Sequence, residues 1–279
     1  MKNLKKILEN RKLVREKIPL IHAITNPIAI NMVANSILFQ GAKAICAECE
    51  DEMEEIVKIS DSLSINLGNI TNSRLKAMEV ATKFANEKNI PVIMDVVGVG
   101  ASKIRLDFAK NLLEKYKFEV IKGNSSEILS LCGEKSHAKG IDAGDEDELS
   151  YENIKYFTEI SQKLSKKYKT TVLITGKTDI LLKDDKYFLF ENGCDNLSKI
   201  TATGCMLTGL ISTFLSVSNP IDASILALLI LEISGEISHT KKPYSFFVNL
   251  MDNISEISDE EIIKRAKIRE GNLWKNYIW

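Results

Sequence analysis

The sequence predicts an α/β protein, a three-layer α/β/α sandwich built on a mostly parallel sheet. Short apolar runs alternate with amphipathic stretches of roughly ten or more residues, the pattern of parallel strands joined by crossover helices. No proline-, glycine- or serine-rich linker divides the 279 residues, so residues 1–279 read as a single domain. The hydrophobic fraction of 44% and charged fraction of 27% are those of a globular chain with a core.

The elements follow in order. Leu4, Ile7, Leu8 and Leu13 lie at helical spacing and predict an opening helix at about 2–17. An apolar strand over 19–25 leads into Asn26-Pro27, expected to start a helix to about residue 40 with proline in its first turn. A strand over 42–47 and an acidic-start helix over 51–60 come next. The alternation continues as strand 62–67, helix 71–89, strand 91–97, helix 104–115, strand 119–121 and helix 125–132. The charged, glycine-bearing stretch 133–150 reads as a loop. Helix 151–168 and strand 171–175 precede a hairpin whose arms, 180–182 and 187–190, flank Lys183-Asp-Asp-Lys186. From Gly204 to Ile268 the pattern is almost all helical, one helix being capped by Ser258-Asp-Glu-Glu261, and about 271–279 forms a tail holding Trp274 and Trp279. Packing of that tail on its own domain is the default, and a partner contact is the alternative. No internal repeat is present.

Composition narrows the function. A net charge of −1 leaves no basic excess for nucleic acid. Five cysteines, at 46, 49, 132, 194 and 205, are odd in number and too scattered for a disulfide scaffold, which points to free thiols in a reducing compartment. The N-terminus lacks the apolar core of a signal peptide, and the longest apolar run, 223–233, is interrupted by Ser224 and Glu232 and is too short to span a bilayer. The expectation is a cytoplasmic protein that engages neither membrane nor nucleic acid.

Ligands of open α/β sheets sit beyond the carboxyl ends of the strands, so polar residues there are the site candidates. The inferred strands end in Thr25-Asn26, Asp95, Lys122-Gly-Asn124 and Thr175-Gly176, and Thr201-Ala-Thr-Gly-Cys205 enters an apolar helix after the last of them. That turn reads either as an anion site made of backbone N–H groups, with Cys205 in a first turn where thiol pKa tends to fall, or as a plain cap with a buried cysteine. Asp95 suits a divalent metal or a helix cap, and Gly98 and Gly100 allow close backbone approach to a ligand. Gly98-x-Gly100-x-x-Lys103 lacks the third glycine of a dinucleotide fingerprint, which argues against a nicotinamide enzyme. Asn124-Ser-Ser-Glu127 has the form of a capping box, and Glu127 could also share Mg²⁺ with Asp95.

Cys46-Ala-Glu-Cys49 matches half of a zinc or redox motif, but no second C-x-x-C exists, and His22, His137 and His239 lack ligand spacing. Cys46 is better read as lining a pocket at a strand end. His22 reads as a core histidine and His239 as a helix-end partner of the dipole.

Taken in order, these segments resemble the hydroxyethylthiazole kinase family, thiamin-salvage enzymes of ribokinase-like fold. The matching residues are Thr25-Asn26 with Asn31, Gly41-Ala42, Asn66-x-Gly68, Asp95-x-x-Gly98-x-Gly100-Ala101, Gly123-Asn-x-x-Glu127-Ile128, Gly140-Ile-Asp142-Ala-Gly144, Thr175-Gly176 and Thr201-x-Thr-Gly-Cys205. They span roughly 18–250, and their order carries more weight than any one of them. The resemblance implies ATP- and Mg²⁺-dependent phosphorylation of the hydroxyethyl group of 4-methyl-5-(2-hydroxyethyl)thiazole by a homotrimer with sites between subunits. It implies that Cys205, with Gly204 and Thr203, forms the catalytic loop. Asp95 and Glu127 fall on the metal-associated acids, and Lys122, Asn124, Thr175 and Gly176 on nucleotide positions. Asn26, Cys46, Gly68 and Ala202 fall on thiazole positions.

The chain departs from the family pattern at several places. Ala202 stands for a glycine, Lys122 for an arginine, Cys46 for a methionine and Val96 for a proline. Lys242-Pro-Tyr-Ser-Phe246 replaces Gly-Pro-Gly-Ser-Phe. An alanine at 202 costs about 1–2 kcal/mol if the backbone there needs positive φ. Two other readings therefore stay open: a kinase for another heterocyclic alcohol, such as a hydroxymethylpyrimidine, and a non-catalytic protein that binds nucleotide or thiazole.

Overall fold

The computed structural model describes residues 2–134 and 153–273. The Gly140–Gly144 segment of the resemblance and the tail from Trp274 onward lie outside them. In chain order the elements are α1 (Lys2–Lys17), β1 (Leu20–Ile24), α2 (Ile30–Phe39), β2 (Lys43–Ile45), a 3₁₀ turn (Glu50–Glu52), α3 (Met53–Lys58), β3 (Ser62–Asn66), α4 (Asn72–Glu87), β4 (Val92–Asp95), α5 (Lys103–Lys115), β5 (Val120–Asn124) and α6 (Ser125–Cys132). They continue as α7 (Ile154–Tyr168), β6 (Thr171–Thr175), β7 (Asp179–Lys183), β8 (Lys186–Phe190), α8 (Asp195–Ser198), α9 (Thr203–Leu215), α10 (Pro220–Ile237), α11 (Pro243–Glu256), α12 (Asp259–Arg265) and β9 (Ile268–Asn272).

One nine-stranded sheet has the order β2-β1-β3-β4-β5-β6-β7-β8-β9. Strands β2 to β6 of that order pair parallel, and β7, β8 and β9 are added antiparallel. Side chains alternate between faces. Ile93, Val120 and Leu173 join a core made with α1, α2, α9, α10, α11 and α12, while Val92, Met94, Ile121 and Val172 join a second core made with α3 to α7. Both faces are covered, so the central strands are continuously apolar rather than alternating.

The structure corrects several expected boundaries. The second helix starts at Ile30 instead of Pro27, because the Asn26 side-chain oxygen accepts from the Ala29 amide at 3.1 Å and closes a turn first. The acidic segment after β2 spends its first residues in the 3₁₀ turn. Strand β5 runs on to Asn124, since it pairs with β4 on one side and β6 on the other. The hairpin is not the end of the sheet: residues 271 and 272, expected in the tail, belong to β9, and α8 lies between β8 and the turn before α9. The sequence of β9, Ile-Arg-Glu-Gly-Asn, is mostly exposed and shows no apolar period, as suits an edge strand.

Candidate active site

The parallel strands bring their carboxyl ends to one edge. The chain passes from β1 outward to β2 and returns to β3 on the other side of β1, which opens a crevice at that reversal. Asn26 leaves β1 there, Asn66 ends β3, Asp95 ends β4 and Lys122 lies in β5. Helix α9 packs on β1, β3 and β4 and aims its N-terminus at the same place.

These residues form one buried hydrogen-bonded cluster. Oδ2 of Asp95 accepts from Asn66 Nδ2 at 2.9 Å, Lys122 Nζ at 3.0 Å and Thr208 Oγ1 at 2.6 Å. The Cys205 sulfur accepts from Asn26 Nδ2 and Asn66 Nδ2, each at 3.3 Å. Asn66 Oδ1 takes Asn26 Nδ2 at 3.2 Å and the Gly68 amide at 2.9 Å. A side chain at 68 has no room, since a Cβ there would lie 2.8 Å from Asn66 Oδ1 and 3.0 Å from Asn26 Nδ2. Glycine at 68 is thus what lets two asparagines converge on one thiol.

Electrostatics follow from burial and from the paired charges. Burial lowers the Lys122 pKa, but Asp95 foremost, then Cys205 and Glu127, outweigh it and hold the ammonium above its usual value. The Cys205 thiol is pushed up to about 11, by burial first and Asp95 second, against the pull of Lys122 and the two asparagines. This overturns the expectation of a lowered thiol: a helix N-terminus contributes less than desolvation does here. Burial and then Asp95 raise Glu127 to about 7, although the amides of Gly98 and Asn124 donate to its two oxygens, each at 2.7 Å. The capping box expected at Asn124 is complete, with the Glu127 amide donating to Asn124 Oδ1 at 2.9 Å.

The remaining candidates lie outside this hydrogen-bonded cluster. Asn124 and Thr175 are register partners on β5 and β6, and the Gly176 amide donates to Asp179 Oδ1 at 3.0 Å. They lie along the same edge, on the far side of Asp95 from Asn26. Cys46 follows β2 on the outermost strand, partly buried, with its thiol pKa raised by burial, and no hydrogen bond of the cluster reaches it. The Thr203 hydroxyl donates to the Leu197 carbonyl at 3.0 Å, so its side chain fixes the turn and leaves only its backbone for a ligand. His22 is buried, donates from Nε2 to the Ala47 carbonyl at 2.9 Å and has its pKa lowered to about 4 by burial, as a core histidine should. All five cysteines are free thiols.

Ala202 precedes α9 with φ of 68°, and no side chain caps the helix. An alanine held there is strained. Ala202→Gly is expected to stabilise the fold by about 1 kcal/mol, since the relief exceeds the extra unfolded-state entropy of glycine. Chemical denaturation checks this, and unchanged or lower stability would refute the strain.

Three further residues at or near this edge escape the sequence reading. Asn66 was seen only as part of a motif, although its amide bridges Asp95 and Cys205. Thr208 sits one turn into apolar α9, and a hydroxyl on that face is the signal that would have found it. Glu232 of α10 is buried beside Asp179, and burial first raises both carboxyls, with the Asp179 charge adding to the rise at Glu232.

A divalent cation fits this donor set in one way. Among the described residues no group of three or more His, Cys, Asp or Glu side chains could form a cage. Asp95 Oδ1, however, is buried without a hydrogen-bond partner, and a Cβ built at Gly204 would meet only Lys122 Nζ, at 3.5 Å. One unpartnered carboxylate oxygen, in a cluster where Gly204 leaves room next to Lys122, suits Mg²⁺, which keeps waters and phosphate oxygens as its other ligands.

Comparison with known proteins gives the family. Residues 11–260 match the Hydroxyethylthiazole kinase family. Hydroxyethylthiazole kinase 2 of Clostridium botulinum (strain Kyoto / Type A2) is 46% identical over 262 residues, 94% of this chain and 99% of that protein. The hydroxyethylthiazole kinase structure from Pyrococcus horikoshii OT3 superposes with a TM-score of 0.86 at 33% identity, covering 96% of this chain and 100% of that one. An ADP complex of Bacillus subtilis pyridoxal kinase, at 15% identity and a TM-score of 0.62 over 81% of this chain and 94% of that one, shares the fold alone. The chain has the ribokinase-like fold and belongs to the hydroxyethylthiazole kinase family, whose general role is the phosphorylation of the thiazole alcohol in thiamin salvage.

Proposed function

We propose that the chain moves the terminal phosphoryl group of ATP to the hydroxyl of 4-methyl-5-(2-hydroxyethyl)thiazole at the Asp95–Lys122–Cys205 cluster. The observation that supports this most is the meeting of the α9 N-terminus with an ion pair at the strand ends, Lys122 Nζ lying 3.0 Å from Asp95 Oδ2. Asn26, Cys46, Gly68 and Ala202 form the alcohol side, and Lys122, Asn124, Thr175 and Gly176 the nucleotide side. The turn Ala202-Thr203-Gly204-Cys205 supplies backbone N–H groups between them.

In the transfer, the bond from the alcohol oxygen to phosphorus forms as the bond from phosphorus to the bridging oxygen of ADP breaks. A loose transition state asks the protein for alignment and charge neutralisation more than for a base. Lys122 and the N–H groups of the turn neutralise charge on the phosphoryl oxygens. Asn26 and Asn66 hold the Cys205 sulfur where the alcohol enters. With its pKa near 11 the thiol stays protonated at neutral pH, so the alcohol proton departs late, onto an oxygen of the transferred phosphoryl group. Asp95, through its unpartnered Oδ1, and Glu127 would hold Mg²⁺, which when bound would supply positive charge to the phosphates.

Cys205→Ala is accordingly expected to keep measurable turnover, with kcat lowered about tenfold. ADP release with Mg-ATP and hydroxyethylthiazole reads this directly; complete loss of turnover would make Cys205 the obligate base. Turnover with a hydroxymethylpyrimidine and none with the thiazole would favour the alternative acceptor, since the Ala202 methyl narrows the turn. ATP binding without turnover on any alcohol would favour a non-catalytic protein.

The chain acts as a single domain in this proposal, and as a homotrimer. Ile28 and Leu38, beside and on α2, and Tyr244 and Val248 on α11, which packs against α2, are exposed apolar side chains. Light scattering of the purified protein should read the trimer mass. A cytoplasmic location is consistent with the free thiols, and none of the described helices is long and apolar enough to cross a membrane.

A further inference from the structure

Arg74 stands where local chemistry disfavours it. It is the third residue of α4, its amide donating to the Thr71 cap at 3.1 Å, and a cation in the first turn opposes the helix dipole. It is also buried, at 5% exposure. What offsets this is a full set of acceptors. Nε and Nη2 hold Glu48 bidentately, at 2.7 and 3.2 Å, and Nη1 donates to the Asn69 carbonyl.

The two partners belong to different loops at the carboxyl edge. Glu48 lies two residues past Cys46, in the segment after β2, and Asn69 follows Gly68, in the turn after β3. Asn69 itself is held at φ of 48°. Strand β2 is short and at the sheet edge, paired only with β1 through Lys43, Ala44 and Ile45. Its ladder alone gives the following segment little hold. His22 fixes one point of that segment through the Ala47 carbonyl, and the Arg74 fork fixes the next residue, Glu48.

We infer that Arg74 is a positioning residue for the alcohol pocket, locking the Cys46–Cys49 segment against the Gly68–Asn69 turn so that Cys46 and Gly68 keep a fixed separation. The inference rests on the assignment of Cys46 and Gly68 to the alcohol side. Arg74 touches neither substrate, and the nucleotide side, built on β5 and β6, lies across the sheet from it. Its effect therefore falls on one substrate only.

The test is steady-state kinetics of the full chain with hydroxyethylthiazole and Mg-ATP, for wild type, Arg74→Met, Arg74→Lys, Glu48→Gln and Cys46→Ala, with thermal unfolding of each. Arg74→Met should raise KM for the alcohol about tenfold while KM for ATP and kcat stay within about twofold. Arg74→Lys, which keeps the charge and loses the fork, should recover part of the loss. Glu48→Gln removes the charge and one of the two acceptor oxygens from the exposed side of the pair, and should raise the alcohol KM in the same sense even if Arg74→Met does not fold. If Cys46→Ala shifts the alcohol KM and the Arg74 and Glu48 variants do not, the positioning role is wrong and the pocket assignment stands. If none of them shifts it, the pocket assignment fails and takes the inference with it. A fall in kcat that merely tracks the folded fraction, with both KM values unchanged, would reduce Arg74 to a structural residue.

Discussion

Asp95→Asn is expected to abolish nearly all turnover, lowering kcat by about three orders of magnitude. The side chain orients Asn66, Lys122 and Thr208 at once through one oxygen and leaves the other free for a cation. The substitution also removes the ion-pair partner of a 3%-exposed ammonium. Breaking one side of a buried pair costs about 3–5 kcal/mol, so the variant should unfold at markedly lower denaturant. The double variant Asp95→Asn/Lys122→Met separates the two effects. Stability should return in large part while activity does not. Recovery of both together would show that Asp95 serves only to neutralise Lys122.

The second large effect is a pH dependence governed by Glu127. Its carboxyl titrates at about 7, raised from 4.5 chiefly by burial and next by Asp95. Only the ionised form can accept both the Gly98 and Asn124 amides and attract a hydrated cation. Log kcat is therefore expected to climb with pH up to about 7 and then level off. Stability runs the opposite way. A folded pKa above the unfolded value adds stability below about 4.5 that is lost as pH rises through about 7, a change of roughly 3 kcal/mol. Glu127→Gln should lower the plateau 10–100-fold, remove this rising limb, and flatten the stability profile over the same interval. Its amide nitrogen would face one of two N–H donors, so Gly98 or Asn124 loses its acceptor. A rate profile without an inflection near neutrality would refute the role of Glu127.

The sheet was legible in the sequence because its strands are buried on both faces and so appear as short apolar runs: Val-Leu-Ile within β6 and Val-Ile-Met within β4 admit no other reading at that spacing. Strand β9 was not, since an exposed edge strand needs no apolar alternation and Arg269 and Glu270 conceal it. The start of α2 was misplaced by an interaction that no local rule contains: the Asn26 side chain closes a turn with one atom and reaches Cys205, 179 positions away, with another. The site was legible where it coincides with strand ends, as at Asp95 and Lys122. Thr208 was not, because its meaning depends on which way α9 faces. The thiol of Cys205 was misjudged for a related reason, as position in a helix can be read from sequence and depth of burial cannot.

The bare N-terminus of α9 has a thermodynamic consequence. A helix buried along nearly its whole length begins here on a strained alanine without a side chain to satisfy its first amides. Whatever anion enters the turn finishes the helix as well as occupying a site. Occupancy and local order then form a single linked equilibrium, in which phosphate-bearing ligands tighten the centre of the fold and the alcohol alone does not. Release of a phosphorylated product must loosen that centre again, so the step that empties the site competes directly with the step that stabilises the protein.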